Sequence, residues 1–212
     1  MKIRATFCAR RLLLAILVLA ICALTSATAN ANRLSIDDTD FRIAWTEAED
    51  LNFNTGGLTF ECSITLVGSF HSQTIRKVLR ALIGSVARVT FGDCDQGTLT
   101  LIRAPPWHLT YEGFRGTLPN ITGGRLLLRG QRFLISKPEV GANCVMPNDD
   151  NWAGTANLEG GFSRSFSVEP TPTTPIDDLA GSSLCDLAGT MTFSGTGIVD
   201  DNAGAGLGIR LI

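Results

Sequence analysis

Between residues 58 and 70 the chain alternates. Leu58, Phe60, Cys62, Ile64, Leu66 and Phe70 take every second place, broken only at Gly68, and Thr59, Glu61, Ser63, Thr65 and Ser69 fill most of the places between. A period of two gives an extended strand one apolar and one polar face. Shorter runs read the same way: FRIAW (41–45), RVTFGDC, GTLTLIRA, WHLTYEGF, GRLLLRGQRFLIS, ANLEGGFSRSFSVE, GTMTFSGTGIV and GLGIRLI. Their connections are short and carry glycine, which predicts antiparallel neighbours. EPTPTTPIDD (169–178) holds three prolines and is expected as an exposed extended loop, because proline cannot donate to a central ladder. The last run, GLGIRLI, is apolar and is expected to dock into the sheet.

One segment follows a different rhythm. Ile75, Val78, Leu79, Leu82, Ile83 and Val86 recur at the three- and four-residue spacing of a helix face, with Arg76, Lys77 and Arg80 off that stripe. This predicts one amphipathic helix over about 72–86, capped by Ser72 and loosened at Gly84. The expected fold class is therefore α+β. A mostly antiparallel sheet forms a sandwich or partly open barrel, and the helix covers one face or end.

The first thirty-one residues change the picture of where the chain works. Lys2, Arg4, Arg10 and Arg11 precede an uncharged apolar run, Leu12–Leu24, and small residues follow it up to Ala31. That is the make-up of a signal peptide, with cleavage expected after Ala31 and a single β-rich domain at 32–212. The run is short for a bilayer span. The leader takes four of the eighteen cationic side chains and none of the twenty anionic ones, leaving a net charge of −6. An acidic mature chain offers no electrostatic reason to bind nucleic acid. All twenty-two glycines lie after the leader, as a turn-rich β domain requires.

Two cysteines, Cys8 and Cys22, belong to the leader. Cys62, Cys94, Cys144 and Cys185 remain, even in number and widely spaced. In an exported chain they predict two disulfides, with three connectivities open. None has the close spacing of a zinc site or a redox dithiol.

The stretch PPWHLTYEGFRGTLPNITG (105–123) gathers Trp107, His108, Tyr111 and Glu112. As a strand it sets Trp107, Leu109 and Tyr111 on one face and His108, Thr110 and Glu112 on the other. His108 and Glu112 are expected near enough to share a proton or a water, and His71 can join them if the strands pair suitably. The trio His71, His108 and Glu112 is thus the candidate acid–base or metal site. A polar strand face turned to solvent accounts for the same residues without any site. No nucleophile elbow, zinc-protease helix motif or phosphate loop occurs. DDNAGAG (200–206) opens like a calcium loop but lacks its closing glutamate, and reads as a turn. No cofactor is expected.

GSFHSQTIRKVLRALIG, then PPWHLTYEGFRGTLPNITG and a closing FSGTG…IRLI, resemble a family of small secreted proteins of soil actinobacteria for which no activity is established. Pro105 stands where that family's pattern has leucine. The resemblance spans most of the mature chain and implies export; it supplies no catalytic residues and no substrate. The function expected is a secreted, non-enzymatic envelope, surface or ligand-binding module, with a small apolar ligand or a surface partner. The alternative is an extracellular hydrolase or metal-dependent enzyme using His71, His108 and Glu112.

Overall fold

The computed structural model describes residues 33–46, 50–54, 58–117, 120–145, 151–159, 162–168, 177–178, 192–201 and 203–211. The leader, Cys185 and most of the proline-rich segment lie outside the described residues. Sixteen strands follow in order: β1 (Arg33–Ile36), β2 (Asp40–Trp45), β3 (Leu51–Asn54), β4 (Thr59–Phe70), β5 (Thr74–Arg76), β6 (Leu82–Cys94), β7 (Thr98–Arg103), β8 (Trp107–Thr117), β9 (Asn120–Arg129), β10 (Arg132–Lys137), β11 (Ala142–Val145), β12 (Asn151–Glu159), β13 (Phe162–Val168), β14 (Asp177–Asp178), β15 (Thr192–Asp200) and β16 (Leu207–Leu211). A 3₁₀ turn at Pro138–Val140 is the single helical element among the described residues.

The fold class therefore differs from α+β. Eight strand positions close on themselves in the order β4–β6–β8–β9–β12–β13–β15–β2, every pairing antiparallel, and β3 continues the place of β2 against β4 and β15. The sheet is a closed β-barrel rather than a sandwich or an open one. The 72–86 segment is not a helix but the short strand β5, a tight corner and the start of β6. The residues explain the outcome. Ile75, Ile83 and Val86 are β-branched and buried in strands, whereas Val78, Leu79 and Leu82 of the same supposed stripe are exposed. At Gly84 a Cβ would stand 2.5 Å from the Ser69 carbonyl of the adjacent strand, so glycine here permits close strand packing rather than ending a helix.

The alternation seen in the sequence fills the barrel. Phe60, Cys62, Ile64 and Leu66 of β4 point inward beside Trp45, Trp107, Leu109 and Leu128, all buried. Glu61 and Thr59 face out, with Ser63 and Thr65 half-buried. That polarity is the reverse of a lipid-embedded barrel, which is apolar outside. Rings are matched by inward glycines. A Cβ at Gly197 would meet the Trp45 indole at 2.9 Å, and one at Gly154 would overlap the Phe166 ring. Trp45 and Phe166 in turn meet edge to face with centroids 6.3 Å apart.

Two additions pack against the barrel core. The strands β16–β1–β5 form a cap whose Leu34, Ile75 and Ile209 meet Tyr111, Leu126 and Ala156 of the barrel. Asp37 pins that cap, its carboxylate accepting the Gly208 amide at 2.7 Å. The expected docking of the last strand is thus observed, through β1 and β13. A separate four-stranded sheet, β14–β11–β10–β7, extends the same core through Ile135, Ala142 and Cys144. Cys62 and Cys94, Cα partners on β4 and β6, are joined by a disulfide with S–S 2.03 Å. Cys144 is buried and also disulfide-bonded.

Candidate functional site

The three residues proposed from sequence are not brought together. His71 follows β4; its amide donates to the Ile83 carbonyl at 2.9 Å and its side chain is exposed. His108 is exposed on β8, paired with Ser85 of β6 and Arg129 of β9. β6 therefore separates the two histidines, which places their backbones about 10 Å apart across the sheet and offsets them by two residues along it. Glu112 lies at a β-bulge where the register shifts between Tyr111 and Gly113. Four residues of extended strand set it about 13 Å from His108, too far to share a proton directly. It is half-buried, and its Oε1 lies 3.5 Å from the Thr110 hydroxyl, which also lies 3.4 Å from the Leu127 carbonyl. Thr110 itself is buried, so the polar face expected of this strand is interrupted in its middle. Among the described residues no three His, Cys, Asp or Glu side chains converge as a metal site.

The core is closely packed where the cap meets the barrel. Its apolar gap under the cap measures about 20 Å³, room for roughly one water molecule. A cleft of about 280 Å³ is lined by His71, Ser72, Thr74, Arg76, Leu82 and Ile83, between the end of β4 and the corner from β5 to β6.

That corner is built with unusual firmness. The Val78 amide donates to Arg76 O at 2.8 Å and the Ala81 amide to Val78 O at 3.0 Å. Arg80, at φ 62°, donates its amide to Tyr111 O at 2.7 Å, and Tyr111 returns a bond to Ala81 O at 3.0 Å. A non-glycine residue in the left-handed region persists only where its surroundings hold it there. The Lys77 ammonium stands 5.5 Å over the Phe114 ring. The chain so fixed holds Val78 and Leu79 outward, 57% and 62% exposed, with Leu82 at 49% beside them. Arg76 and Arg80 are exposed on the same corner.

The sequence displayed these residues but disguised their role. Ile75 to Val86 reads as a buried helical stripe, and only the tight packing RKVLR, with cations on both sides of Val78 and Leu79, hinted at an exposed tip. The DDNAGAG segment is the turn expected: the Asp201 carboxylate accepts the amides of Ala203 and Ala205 at 2.9 and 3.0 Å.

Compared with known proteins, the chain matches no family model, no curated protein and no solved structure.

Proposed function

We propose that the chain is an exported, non-enzymatic binding module that works from its outer surface, at the corner between β5 and β6. The observation that carries this reading is the outer cleft of about 280 Å³ flanked by exposed Val78, Leu79 and Leu82. Exposed apolar side chains that adjoin one another, unlike those scattered singly, mark an interaction surface. Export is supported by the leader-like first thirty-one residues and by the Cys62–Cys94 disulfide, since such bonds persist in oxidising compartments. No helix among the described residues is long and apolar enough to cross a membrane. The resemblance to small secreted actinobacterial proteins belongs to the same proposal.

Native mass spectrometry of protein recovered from culture medium tests it. The expected species is a bare chain starting at Asn32, lighter than its reduced form by the hydrogens of two disulfides. A co-purifying organic molecule retained through buffer exchange would relocate the function to the barrel interior. A bound divalent metal would return it to His71, His108 and Glu112.

A further inference from the structure

We infer that the β5–β6 corner is a docking tip for an anionic lipid surface, with Val78 and Leu79 entering the headgroup layer and the exposed Arg76 and Arg80 facing the lipid phosphates. The inference rests on the outer-surface reading above and names the partner.

Three independent features converge on it. The first is the exposed apolar pair at the apex of a turn, joined by Leu82. Water disfavours these side chains, and the fold offers them no seat. The second is charge. The mature chain is acidic overall, yet three cations fall within the five residues of RKVLR. Glu112 is the acidic residue of the adjoining strand segment, and it lies against the Thr110 hydroxyl. Apolar side chains ringed by Lys and Arg form the pattern by which proteins settle on anionic bilayers without spanning them. The third is rigidity. The bonds that Tyr111 accepts from the Arg80 amide and donates to the Ala81 carbonyl hold the apex in place before any encounter, so little conformational freedom remains to be lost on docking.

The shape favours lipid over a protein partner. A stable protein interface hides about 800 Å² on each side and needs complementary relief. Val78, Leu79 and Leu82 supply far less, whereas a headgroup layer needs no complementary relief. The neighbouring cleft, with Ser72, Thr74, Arg76 and His71 on its walls, lies where a phosphate-bearing headgroup beside the inserted apex would sit.

The test uses the mature chain with vesicles of phosphatidylcholine, alone or mixed with phosphatidylglycerol. Sedimentation is expected with the anionic vesicles, and partitioning should rise roughly fivefold for each cation near the surface. It should weaken steeply with salt. The double variant V78S/L79S is expected to lose at least roughly tenfold in partitioning while keeping its thermal midpoint, because both side chains are exposed. R76Q/R80Q should lose the preference for anionic vesicles. In a separate variant, L79W, indole emission is expected to shift blue on vesicle addition and to be quenched by brominated acyl chains. Absence of sedimentation with either vesicle, or binding unchanged in V78S/L79S, overturns the lipid proposal. If the chain is nevertheless bare by native mass spectrometry, the outer-surface reading stands and a protein partner takes the tip. A retained interior ligand or metal overturns the reading itself, however the vesicles behave.

Discussion

Arg42 and Asp200 are Cα partners across the β2–β15 pairing, at one seam of the closed barrel, and their side chains meet there in a bidentate ion pair. The Arg42 Nε lies 3.1 and 3.0 Å from the two carboxylate oxygens. The bond to Asp200, and then its charge, push the already high pKa of the guanidinium further up. The two partners differ in burial: Asp200 is 4% exposed, whereas the Arg42 side chain is 46% exposed. Removal of either partner should therefore be unequal in effect. Arg42→Ala takes a bidentate charged partner from a buried carboxylate and should destabilise by about 1–3 kcal/mol. Asp200→Asn returns a half-exposed guanidinium to water and should lose no more than about 1 kcal/mol. Urea unfolding of the two variants decides; equal losses would show that the pair does not act as described.

Tyr111 supplies a pH prediction. It is the only tyrosine of the chain and is 3% exposed. Burial pushes its phenol above the ordinary value of 10.0. The unfolded chain therefore gives up this proton first, and above pH 10 the folded state binds more protons than the unfolded one. By linkage, the stability tied to Tyr111 is whole below pH 10 and declines as pH rises through that value. Phenolate absorbance in the folded protein should appear at higher pH than in the urea-unfolded chain. Tyr111→Phe should remove that absorbance and flatten the alkaline loss of stability. A phenolate that forms at the same pH in both states would contradict the burial seen here.

Gly68 is the break in the sequence's most regular alternation, and the barrel shows why. Its position points inward opposite Phe41, its Cα partner on β2. A Cβ there would come within 2.6 Å of the Phe41 ring and would collide with the Ser85 carbonyl. Phe41 and Phe70 pack with centroids 5.0 Å apart over the same spot. Gly68→Ala is an overpacking change against partly immovable backbone, and should destabilise by about 1–3 kcal/mol or more. Thermal melting of the variant measures it, and a neutral result would mean that the strands part more readily than this packing implies.

The same positions show what the sequence made legible. Alternation at 58–70 identified β4 and its inward face, and the strand reading of 107–112 correctly grouped Trp107, Leu109 and Tyr111 as buried. Periodicity failed at Ile75–Val86 because a buried strand pair and a helix face can place apolar residues at the same intervals, and only the tertiary partners separate them. Here the deciding partners are Ser69, against Gly84, and Tyr111, against Arg80 and Ala81. Closure of the barrel was equally hidden. It depends on the meeting of Arg42 and Asp200, 158 residues apart, and no local pattern encodes such a pairing. The placing of the two histidines was hidden for a related reason. Which strand lies between His71 and His108 is a matter of topology, and β6 occupies that place.

The disulfide framework gives a last prediction. Of the three connectivities open from sequence, the bond between Cys62 and Cys94 selects one, in which the disulfide-bonded Cys144 is expected to pair with Cys185. A non-reducing digest analysed by tandem mass spectrometry should therefore yield a Cys144–Cys185 peptide beside the Cys62–Cys94 one. The Cys62–Cys94 bond spans a sequence separation of 32, so its loss should release denatured-state entropy worth about 3–4 kcal/mol. Both sulfur-bearing residues sit directly opposite one another on paired strands, so Cys62→Ser/Cys94→Ser should retain the barrel while lowering its urea midpoint. Cys62 is fully buried among apolar side chains, and Cys62→Ser alone should be worse than the double variant, because it also leaves Cys94 free for wrong pairing. A single variant more stable than the double one would show that the bond contributes through something other than the cross-link.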